Sequence, residues 1–266
     1  MAEHDGPLDA EARRQRRHFT MRRLHSLSGV VPVGVFLVVH LWTNAKALSG
    51  PVTFGHAVGE IHSLPFLVAI EVFGIFVPLA FHALYGVALV FQSRPNVGVY
   101  GYSRNWLFVL QRATGVLAFL FILMHLKDFR VAKALGAMRP EGFFDELGQL
   151  LGVRWKALVY LFGTTASIFH FANGVRTVLW SWGVTISDRS QRFATWACAG
   201  LGAALWLLGA STILFFSTGG QSLLPTSAVR AEGGRDPLDR ATLPAASAAT
   251  LTAPHPSAGA PSRAPH

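Results

Sequence analysis

Of 266 residues only one, Cys198, is a cysteine. That excludes an intrachain disulfide and a thiolate metal cluster, and Cys198 lies in an apolar run where it reads as core. Charge is also scarce. Charged residues make up 14% of the chain against 51% hydrophobic, and the mean hydropathy is +0.38. A soluble domain of this size carries more charge and less apolar surface, so the composition is that of an integral membrane protein. Acidic residues are outnumbered, 14 against 23 basic ones, giving a net charge of +9. Six of the basic residues, Arg13, Arg14, Arg16, Arg17, Arg22 and Arg23, crowd the N-terminus. There a membrane-edge anchor explains them more simply than nucleic acid does.

What is present is a series of long apolar runs. A spanning helix needs about 20 mostly apolar residues, and five segments qualify: Leu27 to Leu48, Pro65 to Gln92, Asn105 to Leu126, Trp155 to Trp182 and Phe193 to Ser217. The expected fold is all-α, an integral membrane bundle of five transmembrane helices. Residues 1–25 read as a basic cytoplasmic segment, 26–217 as the membrane domain, and 218–266, rich in Ala, Pro and Ser, as a disordered tail. No small-residue cleavage site follows the first run, so it is not read as a signal peptide. The basic N-terminus and a first loop without Lys or Arg place the N-terminus in the cytoplasm. The basic residues between Lys127 and Arg154 argue the other way.

Each of the first four runs contains one histidine: His40, His82, His125 and His170. An ionisable group at membrane depth is costly and faces the bundle interior or a functional partner. FHALYGV at Phe81 to Val87 recurs as FHFANGV at Phe169 to Val175. Gly86 and Gly174 thus stand four residues beyond His82 and His170, on the same helix face, where they clear space for a flat ligand or a close helix contact. Ser28-Gly29-Val30 and Thr114-Gly115-Val116 precede His40 and His125 in the same manner, so the first four helices look like a duplicated helix pair.

Helix rise then sorts the histidines. At about 1.5 Å per residue, His40 and His125 lie about 21 Å or more from the starts of two helices that run the same way. His82 and His170 lie about 25 and 21 Å into the two that run back. His40 pairs with His125 in one leaflet, and His82 with His170 in the other. Two imidazoles without carboxylate or thiolate help make a poor zinc or copper site but suit a bis-histidine haem, and two such haems stacked across the membrane make an electron path.

Several motifs carry a family resemblance from about Arg22 to about Phe216: RRLHSLSGVVPVGVFLVVHLWTN, HSLPF, FVPLAFHALYGV, YGYSRNWLFVLQRATGV, IFHFANGV and WGVTISDRSQR. Together they resemble the cytochrome b membrane anchors of bacterial succinate:quinone oxidoreductases, in the single-subunit, five-helix, dihaem form. The resemblance implies two haem b groups, an outer one on His40 and His125 and an inner one on His82 and His170. It also implies a flavoprotein subunit and an iron–sulfur subunit docked on the cytoplasmic face of a bacterial inner membrane. Electrons from succinate would pass to membrane quinone, menaquinone in most members, and the complex can run in reverse as a fumarate reductase.

Further residues have candidate roles. Glu71 lies about 16 Å from His82 towards the outer face, where its carboxyl could relay protons to a quinone or satisfy a polar helix contact. Glu60 and His62 could join that path. Arg112, His25, Arg22, Arg23 and Arg176, near the inner end, could meet haem propionates or, for the first-helix residues, the iron–sulfur subunit. Two other readings stay open: the cytochrome b anchor of another quinone-linked dehydrogenase or hydrogenase, and a non-redox membrane protein.

Overall fold

The computed structural model of the chain describes residues 7–92, 96–136, 142–221 and 223, and among these every regular element is helical. Most of the tail expected over 218–266 therefore lies outside the described residues. Among the described residues, four helical stretches are long and apolar enough to cross a membrane: Ala10–Ser49, Leu67–Gln92, Ser103–Ala134 and Asp188–Thr218.

The first stretch is two helices, α1 (Pro7–Val30) and α2 (Pro32–Ala45). Pro32 has no N–H to give, and the break falls on the residue before it. Helix α1 runs through the expected boundary at residues 25 and 26 without interruption. The first loop is mostly helical, because Pro51 starts α3 (Pro51–His62) after Gly50, whose φ of 98° suits a residue without Cβ.

Helix α4 (Leu67–Gln92) and helix α5 (Ser103–Ala134) are the second and third spans. Each contains a wide, π-helical stretch, Ile70–Phe76 in α4 and Leu126–Val131 in α5. A π turn adds a residue to the helical circuit and turns aside side chains that a regular helix would align; such turns are frequent at functional sites. The loop after α5 holds a short helix, α6 (Phe143–Gly152).

Helix α7 (Arg154–Ser181), the fourth expected span, has 28 residues, enough for about 40 Å. It is not among the four apolar stretches. The reason is its position: packed between α5 and α8, it buries Asn173 and Gly163 and carries Thr164, Thr165, Ser167 and His170 along its middle. Helix α8 (Asp188–Thr218) starts at a capping box, in which Ser190 N–H donates to Ser187 Oγ at 3.2 Å. It ends at Gly219, with a φ of 73°.

Buried polar side chains such as Asn173, Ser211 and Thr212 share the interior with apolar ones, while the exterior is largely apolar. Phe73, Leu84, Trp196 and Phe193 are among many large apolar side chains left exposed, an arrangement stable only against lipid. The largest buried cluster lies where α6 tucks beneath α7 and α8, around Leu151, Ala157, Tyr160 and Phe216. Cys198 is buried, as expected of a core residue.

Candidate functional site

His40, His82, His125 and His170 stand in two pairs. His40 of α2 and His125 of α5 have ring centres 5.7 Å apart with planes at 79°; His82 of α4 and His170 of α7 are 6.1 Å apart, also at 79°. These are the pairs expected from helix rise. A metal bonded at about 2 Å to the near nitrogen of each of two imidazoles sets ring centres about 6 Å apart. Both pairs have that spacing. No group of three or more His, Cys, Asp or Glu that could hold a metal ion occurs among the described residues; a metal held by either pair would have two protein ligands and would need the rest from a prosthetic group.

The His82–His170 pair is built twice by the same device. His82 Nδ1–H donates to the carbonyl oxygen of His25 at 2.8 Å, and His170 Nδ1–H donates to that of Gln111 at 2.9 Å. A carbonyl only accepts, so each ring keeps Nε2 as its free lone pair, the nitrogen a metal takes. Four residues beyond each carbonyl, in α1 and α5, stands a glycine. A Cβ on Gly29 would run into the His82 ring, and one on Gly115 would approach the His170 ring to 2.8 Å. The imidazole lies in the missing side chain's place, over the turn whose carbonyl it bonds.

Gly86 and Gly174, read as clearing space for a flat ligand or a close helix contact, each stand against a side chain of a facing helix. A Cβ on Gly86 would meet the His25 ring at 3.1 Å, and one on Gly174 the Gln111 amide at 3.4 Å. Each clears space for the facing helix rather than for the histidine on its own. His25 lies flat on His82, ring centres 4.1 Å apart and planes at 9°. Gln111 fills the equivalent position in the second half. Its Nε2 donates to the His170 carbonyl at 3.0 Å, and its Oε1 accepts from Asn173 Nδ2 at 2.7 Å. Arg176 Nε extends the chain to Asn173 Oδ1 at 3.0 Å.

The His40–His125 pair is set differently. Asn44 donates to the His40 carbonyl at 2.8 Å, while His125 Nδ1 is buried without a hydrogen-bond partner. Beside His125 the Tyr160 hydroxyl donates to Asp128 Oδ2 at 2.8 Å, and the Tyr160 and His125 rings are 5.9 Å apart. Glu71 Oε2 is ion-paired with Arg130 Nη2 at 3.0 Å, which joins the π turn of α4 to that of α5. His62 is 2.7 Å from Lys133 Nζ. Glu60 is exposed and lies outside this set.

Two buried polar atoms at the other end also lack partners, Arg112 Nε and His25 Nδ1. The Arg112 guanidinium rests on Phe108, 3.4 Å from the ring centre, and Arg23 lies 4.9 Å from the Trp182 ring centre. The sequence reading missed Gly29 and Gly115 as imidazole seats, and it missed Gln111, Asn173, Asp128 and Tyr160. The signal for the first three was the four-residue step that leads from His25 to Gly29 and from Gln111 to Gly115.

Comparison with known proteins places the chain in a family. Residues 92–210 match the family described as succinate dehydrogenase/fumarate reductase transmembrane subunit. The succinate dehydrogenase cytochrome b558 subunit of Bacillus subtilis (strain 168) is 42% identical over 200 residues, spanning 75% of this chain and 98% of that protein. With a relative that similar over nearly its whole length, the chain belongs to the succinate dehydrogenase/fumarate reductase transmembrane-subunit family, as a cytochrome b membrane anchor.

Proposed function

We propose that this anchor holds two bis-histidine b haems, one on His82 and His170 and one on His40 and His125, within five membrane spans. The observation that carries the proposal is the spacing of the two imidazole pairs, with Nε2 left free on His82 and His170 by their carbonyl bonds. When bound, the haems supply reversible one-electron chemistry, linking the iron–sulfur subunit of a succinate dehydrogenase to membrane quinone, menaquinone by family resemblance.

The residues divide the remaining work. His25 and Gln111 orient the ligand rings through their carbonyls, which fixes the tautomer and raises the basicity of Nε2. Arg112, with an unpartnered buried Nε, and His25 offer positive or hydrogen-bonding partners for propionates at the end bearing the arginine-rich segment. Glu71, paired with Arg130, holds or releases a proton for quinone at the opposite end. The N-terminus lies in the cytoplasm, where a flavoprotein subunit that oxidises succinate and the iron–sulfur subunit dock, and the membrane is the bacterial inner membrane. Succinate oxidation itself belongs to the flavoprotein.

The test is a reduced-minus-oxidised visible spectrum of the purified chain with haem counted by pyridine haemochrome. The expected result is two b-type haems per polypeptide. A folded chain that stays colourless after expression with ample haem would overturn the reading.

A further inference from the structure

One cavity among the described residues has none of the four histidines in its lining. It has a volume of about 330 Å³ and opens between the start of α5, the last turns of α7 and the start of α8. Helix α8, which forms one wall of it, carries no histidine. Three arginines line it, Arg104, Arg176 and Arg192, together with the indoles of Trp180 and Trp196. Against them stands a single acid, Asp188. None of the three arginines forms an ion pair with a described residue. Arg104 is 4.3 Å from the Trp180 ring centre, and Arg176 spends its Nε on Asn173, which leaves the remaining guanidinium donors available.

Three like charges around one cavity repel each other, and an anion inside would relieve that repulsion. The surroundings say which kind. Phe193 and Trp196 beside it are 75% and 77% exposed, so its flank is apolar and turned outward, as lipid-facing surface is. Indoles at that level mark the membrane interface. A volume near the lower end for small-molecule sites admits a phosphate headgroup. We propose that Arg104, Arg176 and Arg192 bind the phosphate of an anionic phospholipid, whose acyl chains lie along Phe193 and Trp196. Basic pockets between membrane helices are recurrent headgroup sites.

The experiment carries the full chain in phosphatidylcholine nanodiscs doped with phosphatidylglycerol and counts retained anionic lipid by native mass spectrometry through graded delipidation. The native chain should keep one phosphatidylglycerol. R104Q/R192Q should retain about ten-fold less, the matched R104K/R192K should recover most of it, and R154Q, at the far end of α7, should behave as the native chain. Equal retention by R104Q/R192Q and the native chain would overturn the proposal. So would displacement of the lipid by millimolar inorganic phosphate, which would mark a general anion site. Unchanged lipid retention with lost co-purification of the iron–sulfur subunit would assign the arginines to that protein instead.

Discussion

The His170 ring occupies the space that a side chain on Gly115 would need, and its Nδ1–H reaches the Gln111 carbonyl one turn away at 2.9 Å. His82 repeats the relationship with Gly29 and His25. Gly115→Val and Gly29→Val should each push one imidazole off its carbonyl and out of line with its partner. Haem content should fall by about half, because ligand geometry fails within a fraction of an ångström. Haemochrome counting beside the helical circular dichroism separates this from unfolding. Full haem content in both variants would show that the glycines are incidental.

His82→Ala or His170→Ala should remove one haem, and His40→Ala or His125→Ala the other. Two distinct residual spectra are expected, one per pair. A single common residual spectrum from all four variants would contradict the pairing. In the assembled complex, loss of the His82–His170 site should also interrupt electron flow from the iron–sulfur side.

How much of this was legible beforehand depends on the scale of the feature. The histidine pairs follow from counting residues along helices, since rise per residue is nearly constant. Gly86 and Gly174 read as room for a flat ligand or for a close helix contact, and His25 and Gln111 of facing helices do lie against them; which neighbour a missing Cβ admits is not written in one strand of sequence, which shows only its own face. The π turns at Ile70–Phe76 and Leu126–Val131 left no sign at all: one extra residue in a helical circuit does not alter an apolar run. Yet those turns carry Glu71, Asp128 and Arg130, so the ion pair of Glu71 with Arg130 was out of reach of the sequence. The loops expected around residues 51–62 and 143–152 proved helical, α6 with two leucines, Leu147 and Leu151, buried beneath the bundle.

Asp128 should act on the His40–His125 site electrostatically. A carboxylate near the site favours the oxidised, more positive form, so Asp128→Asn should raise the midpoint potential of that haem. The other haem should shift far less. Tyr160→Phe strips the carboxylate of its buried donor and should destabilise the chain by about 1–3 kcal/mol. Redox titration and thermal melting check the two effects.

Glu71→Gln removes an ionisable proton carrier and half of an ion pair while touching no histidine. Quinone turnover should slow with both haems retained. If turnover holds steady across the pH range, Glu71 serves the contact with Arg130 and not the proton path.

Each imidazole pair takes one member from the first two spans and one from the next two: His40 with His125, His82 with His170. Neither hairpin owns a complete site. During synthesis the nascent chain therefore stays without a closed ligand pair until α5 has emerged to bring His125 to His40, and the second pair waits for α7. With haems on these pairs as proposed, maturation would be ordered in time, and synthesis halted between α5 and α7 would leave one pair closed and the other without its second member.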